Sequence, residues 1–166
     1  MSTLKQALLH RLTQERATVF YGIAFLPDEE LVRRPAFGEW SAKDVLGHLA
    51  AWDGEYTRAI EQFRRGERPS LWDIGDCDAW NAEQARRRWD MPLEHIEEEL
   101  ISTRRRLLDL LTGLPDDSFY VCGPPPLHHR AFLPHVLNAL ADHDREHWAD
   151  LIAFKEAWIA RQQVTV

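Results

Sequence analysis

Residues 130–161 read RAFLPHVLNALADHDREHWADLIAFKEAWIAR. Val136, Leu140, Phe154 and Trp158 recur there on one helical face, uninterrupted except by Pro134, which a helix accepts only in its first turn. The pattern predicts a long amphipathic helix. His143 and His147 stand four residues apart, one above the other, within roughly 20° to 40° of that apolar row at about 100° per residue. The imidazoles therefore point inward. A polar group left unsatisfied in a core costs on the order of 1 to 3 kcal/mol, so each ring nitrogen needs a partner. A bound cation takes one nitrogen from each ring.

Three further segments with the same three- and four-residue apolar spacing precede this one. The first starts at Ser2 as N-cap and carries Leu4, Leu8, Leu12, Val19 and Phe20 to the break at Leu26-Pro27. The second opens on Ser41-Ala42-Lys43-Asp44, a capping box with Asp in place of Glu, and ends near Gly66 and Pro69. The third places Pro92 near its first helical position and runs to Gly113. Residues 71–89 are mixed, with room for a short helix, and Gly123-Pro124-Pro125-Pro126 breaks the chain before the last helix. These segments predict an all-α four-helix bundle, one domain over residues 1–166. A faint internal echo pairs the second helix with the fourth: Leu49-Ala50-Ala51-Trp52-Asp53 against Leu140-Ala141-Asp142-His143-Asp144. Leu26-Pro27-Asp28 and Leu114-Pro115-Asp116 match likewise.

The second helix supplies a third imidazole. His48 lies roughly 20° to 40° from Trp52 and Ala59, at the margin of the face made by Val45, Leu49, Tyr56 and Phe63. Three neutral imidazoles on two helices suit Zn, Ni, Fe or Cu, with Zn or Ni foremost, and leave coordination positions open for water and substrate. By helical angle Asp144 is near the inward face, where it can accept from a ligand imidazole or serve as a base, whereas Asp142 and Glu146 read as solvated. Trp40, Trp52, Trp72, Trp80 and Tyr56 are candidates for a pocket wall, Trp52 and Tyr56 above the rest. No residue is assigned as catalytic.

The remaining features are ordinary. Arg86-Arg87-Arg88 and Arg104-Arg105-Arg106 fan around a helix and read as solvated faces paired to Glu83, Glu97, Glu98 and Glu99. His128-His129 reads as an exposed turn, and His10, His95 and His135 as non-ligands. Cys77 and Cys122 have no metal or redox spacing, which predicts free thiols. No secretory leader or apolar run of membrane length occurs, so a cytoplasmic protein with no membrane partner is expected. With 27 acidic against 20 basic residues the net charge is −7, a field that repels phosphate and predicts no nucleic-acid partner.

Gly38-Glu39-Trp40-Ser41-Ala42-Lys43-Asp44-Val45-Leu46-Gly47-His48-Leu49, with Trp80-Asn81-Ala82, Leu114-Pro115 and Asp142-His143-Asp144-Arg145-Glu146-His147, resembles the DinB-like metalloproteins, four-helix bundles of the damage-inducible type. The resemblance spans nearly the whole chain. It implies a long connection between the second and third helices, a divalent metal at His48, His143 and His147, and a homodimer. It also implies chemistry on small molecules. Some members use a low-molecular-weight thiol such as glutathione, mycothiol or bacillithiol, and others hydrolyse or detoxify reactive compounds under stress. The chain departs from its relatives at Trp148-Ala149-Asp150-Leu151, where a Gln-Ile pair is common. The reading is a metal-dependent hydrolase or thiol-dependent transferase for a small electrophilic substrate; the alternative is a non-catalytic bundle that binds metal or sequesters a ligand.

Overall fold

The computed structural model describes residues 2–123 and 130–164; the turn expected at His128-His129 and the run Pro124-Pro125-Pro126 lie outside them. Thr3, not Ser2, caps α1 (Leu4–Ile23): its hydroxyl accepts from the Gln6 N–H, and the Gln6 side chain accepts from the Thr3 N–H. The short α2 (Asp28–Val32) follows, and then α3 (Ala42–Arg64). Ser41 and Asp44 form the expected box at its start, and Arg34 adds a two-pronged grip on Asp44 at 2.6 and 2.7 Å. Burial pushes the Asp44 carboxyl up, but the bonds from Arg34 and Ser41 outweigh it and hold the group below the usual range. The mixed region holds α4 (Cys77–Arg88). Pro92 is the N-cap of α5 (Leu93–Thr112), one position before the expected one. The last helix, α6 (Phe132–Val164), keeps Pro134 in its first turn.

The four long helices α1, α3, α5 and α6 make the bundle. Arg11 bonds Asp142, Arg16 bonds Asp144 and Lys155 bonds Tyr21, so α1 and α6 run in the same direction. Lys43 with Met91 and Asp53 with Arg104 show the same for α3 and α5. Parallel neighbours that follow one another in the chain require a return over the length of the bundle. That return is the long connection, and α4 rides on it.

The core falls into two apolar layers. One is built on Leu8, Leu12, Ile60, Leu107, Leu111 and Leu137, the other on Val19, Leu46, Leu49, Ile96, Leu100 and Leu151. At the level between them each long helix contributes one buried charge: Arg16, Asp53, Arg104 and Asp144, none more than 4% exposed. Arg16 reaches Asp144 at 2.8 Å and Asp53 at 3.2 Å, and Arg104 reaches Asp53 at 2.8 Å and Asp144 at 2.9 Å. The ring is closed and charge-balanced. Arg104 also donates to the Leu12 carbonyl at 2.8 Å. This corrects the expectation that the Arg104 run is wholly solvated: Arg105 and Arg106 are exposed, while Arg104 lies on the apolar stripe of α5.

Candidate metal centre

His48 comes from the first third of α3, and His143 and His147 from the middle of α6. The Nε2 atom of His143 lies 2.8 Å from Nε2 of His48 and 3.0 Å from Nε2 of His147. The ligand atoms of all three rings fall within 4.8 Å of one another. Burial, aided by the neighbouring imidazoles, pushes His48 and His143 down to about 3. His147 is lowered as well, chiefly by burial, against the pull of Asp150, Asp144 and Glu146. All three rings are therefore neutral at pH 7, the form that binds a cation.

The donor set fits a divalent transition metal. A tetrahedral ion with bonds of about 2.0–2.1 Å separates its nitrogens by about 3.3 Å, so small movements of the rings suffice. The three nitrogens face one another, and that of His143 meets both others. The Nδ1 atom of His48 is buried with no hydrogen-bond partner among the described residues. No acceptor tethers that ring, so its orientation comes from packing against Trp40, with ring centroids 5.2 Å apart, and Trp52, 6.4 Å apart. A hairpin turn presents Trp40. Its N–H and carbonyl pair with Phe37, and Gly38 between them takes φ +61°, a conformation glycine adopts freely.

The triad opens on a cavity of about 580 Å³ lined by aromatic and polar side chains. Trp40, Trp52 and Tyr56 line it, as the sequence suggests. Asn81 lines it too, from α4, with its side-chain oxygen accepting from Trp52 Nε1 at 3.0 Å. Trp72 does not: it packs edge-on against Phe132. Trp80 packs tilted against Trp52, with ring centroids 4.3 Å apart, and lines a different, larger cleft of about 850 Å³ between α3, α4 and α5. That cleft holds no histidine, and its arginines pair with its glutamates. The three histidines line the smaller cavity.

Asp144 lies on the inward face, as its helical angle predicts, but the cavity is lined by other acidic residues of α6. Asp144 is turned into the buried charge ring and does not line the cavity, whereas Asp142 and Glu146 do. Helical angle alone missed this because the cavity opens at the edge of the inward face rather than on its centre line. Arg16, Asp53 and Arg104 also escaped the reading, although each stands in register with an apolar stripe: Leu8, Leu12, Arg16 and Val19 on α1, Ile96, Leu100, Arg104 and Leu107 on α5. The echo between the second and fourth helices has a structural counterpart. Asp53 and Asp144 occupy the charge ring together, and Trp52 and His143 meet at 6.2 Å beside the cavity.

The sequence pattern of the DinB superfamily matches residues 11–151. No curated protein matches the chain significantly. Solved structures of similar fold include the colibactin self-resistance protein ClbS in complex with a dsDNA, with TM-score 0.75 and 11% identity over 94% of this chain and 98% of that one. They also include an uncharacterised protein from Escherichia coli UTI89, with TM-score 0.74 and 13% identity over 95% of each chain. The ClbS complex overturns the exclusion of nucleic acid based on net charge. A chain-wide sum of −7 does not fix the local field, which is set by charges within about a Debye length, ~8 Å at physiological salt.

Proposed function

The chain belongs to the DinB superfamily, and from that premise we propose that it is a metal-dependent enzyme acting on a small electrophilic molecule, with His48, His143 and His147 as ligands and Zn or Ni foremost. The observation that carries the reading is the convergence of three neutral Nε2 atoms from α3 and α6 at the floor of an open aromatic cavity. A divalent ion held there supplies Lewis acidity and lowers the pKa of a water or a thiol into the physiological range. The side chains do the rest. Trp40 and Trp52 offer flat apolar faces that hold a substrate body and exclude water. The Tyr56 hydroxyl is kept protonated by burial, with a smaller push from Cys77, and is available as a donor. The Asn81 amide, its oxygen engaged by Trp52, turns its N–H groups to a substrate acceptor.

His147→Ala tests the reading. Metal analysis of wild-type protein should find about one equivalent, and the variant should lose it while keeping its far-UV circular dichroism. Turnover of an activated ester or epoxide, with and without added glutathione, bacillithiol or mycothiol, separates the hydrolytic from the transfer route. A variant that holds metal as the wild type does ends the ligand assignment. A variant that loses metal, with no turnover of any electrophile in either protein, favours the binding-only bundle.

Duplex DNA is a second partner class, brought in by the ClbS complex alone. Anisotropy of a labelled duplex tests it, since binding through phosphates weakens linearly in the logarithm of salt concentration. No binding at low salt ends that reading. Among the described residues no helix is long and apolar enough to cross a membrane.

A further inference from the structure

The helix α4 is weakly seated. Of its 12 residues only Ala85 is buried, and a helix of that length is marginal unless packing holds it. Its last turn is fixed: Arg88 grips Glu99 of α5 at 2.6 and 2.9 Å, and Lys43 of α3 donates to the Trp89 and Met91 carbonyls just beyond. The chain before it is fixed as well, through Ser70 on Gln62 and Glu55 and through Trp72 on Phe132. Between these anchors, the hydrogen bonds and ring contacts that tie residues 76–84 to the other helices end, among the described residues, on one side chain. Trp52 donates from Nε1 to Asn81 Oδ1 at 3.0 Å, and its ring centroid lies 4.3 Å from that of Trp80. The same indole meets His48 and His143, with centroids 6.4 and 6.2 Å away.

This helix stands between two spaces. Asn81 lines the cavity over the histidines, whereas Ala79, Trp80, Glu83 and Gln84 line the cleft of about 850 Å³ that α4 shares with α3 and α5. On α3 that cleft is floored by the small residues Ala50, Ala51 and Gly54, and a Cβ on Gly54 would meet nothing within 4 Å. We propose that the first two turns of α4 are a lid over the histidine cavity, latched by Trp52, which swings into the cleft to admit a substrate. The proposal rests on reading that cavity as the substrate site. Release of the latch withdraws Asn81 from the cavity wall and frees the indole that packs against His48 and His143. Such a motion costs little where few apolar contacts are lost and the helical hydrogen bonds already face water. The cleft supplies room that a close-packed interior would refuse.

Hydrogen exchange followed by mass spectrometry reads the lid on the protein as purified. The limiting rate at which excess chelator strips zinc from the zinc-loaded protein reads access to the cavity. Amides of residues 79–84 should exchange at least about tenfold faster than those of α3 and α5. Trp80→Leu, which takes away the ring contact, should speed both that exchange and zinc loss several-fold and leave α5 unchanged. Gly54→Leu, which places a side chain in the cleft and favours the helix that carries it, should slow both. Exchange of residues 79–84 as slow as in α3 overturns the proposal, as does wild-type exchange in either variant, or zinc loss indifferent to both. If Trp80→Leu loosens α5 as well, Gly54→Leu decides alone. The two readings fail separately. Protein that takes up no zinc strikes the histidine assignment, whereas the exchange rates need no metal and still decide the lid.

Discussion

Burial sets the protonation of His48 and His143. In the unfolded chain an imidazole titrates near 6.5, and in the folded protein burial brings these two to about 3. Between those values the unfolded state takes up protons that the folded state refuses. Stability is therefore full above the unfolded value and declines as pH falls from 6.5 towards 3. Urea unfolding of chelator-treated protein should show midpoints that fall steadily across this window. His48→Asn, which removes one titrating ring, should show a shallower decline. Added zinc should move the decline to lower pH, because the ion binds the same neutral form from which protons are excluded. A midpoint independent of pH across the window would contradict the burial of the triad. The three imidazoles were legible in the sequence because helical periodicity fixes the direction of a side chain on a long helix. Which carboxylates line the cavity beside them was not, since that depends on where a cavity opens between helices, and Asp142 and Glu146 stand two residues to either side of Asp144.

Between elements, a close approach that the structure demands is at Gly22. A Cβ built there would lie 3.0 Å from Cβ of Leu151 and 3.6 Å from the Trp148 ring. Gly22 is thus what lets α1 and α6 pack at the height of the second core layer, on the turn of α6 that follows His147. Gly22→Ala raises helix propensity by roughly 1 kcal/mol, yet it must push the helices apart, and overpacking of this kind costs about 1 to 3 kcal/mol. The expected result is a net loss of stability, read as a lower urea midpoint with unchanged m-value. A gain would show that the two helices adjust freely. Such contacts lie beyond sequence reading, because they pair residues more than a hundred positions apart. Local chemistry was readable in contrast: the Ser41–Asp44 box closes within one turn and forms as its residues dictate. The short α2 went unread because Asp28–Val32 spans too few residues to show a period. The two Leu-Pro-Asp matches nevertheless point to one physical role, for Pro27 starts α2 and Pro115 starts the 3-10 turn Asp116–Tyr120.

Over the whole molecule the buried charges set the register of the bundle. Apolar layers alone tolerate sliding of one helix on another, but Arg16, Asp53, Arg104 and Asp144 form a closed ring only when all four long helices stand at one relative height. That height also fixes the histidine triad, since Asp144 is the residue after His143, and Asp53 lies five residues after His48 on α3. The ring was written in the sequence as one charge within the apolar stripe of each helix, two of each sign. Charged residues are rarely buried unless paired, and partners on separate helices cannot be seen from one stripe at a time. Two variants separate stability from register. Arg104→Met leaves Asp53 without its main partner and should cost about 3 to 5 kcal/mol, as breaking a buried pair does. Replacing all four residues together, Arg16→Met, Asp53→Leu, Arg104→Met and Asp144→Leu, removes every uncompensated charge and should recover most of that loss in urea unfolding. If the ring sets register, zinc affinity should not recover with stability, because the helices carrying His48 and His143 lose their common height. A fourfold variant that regains both stability and wild-type zinc affinity would assign the registry to the apolar layers instead.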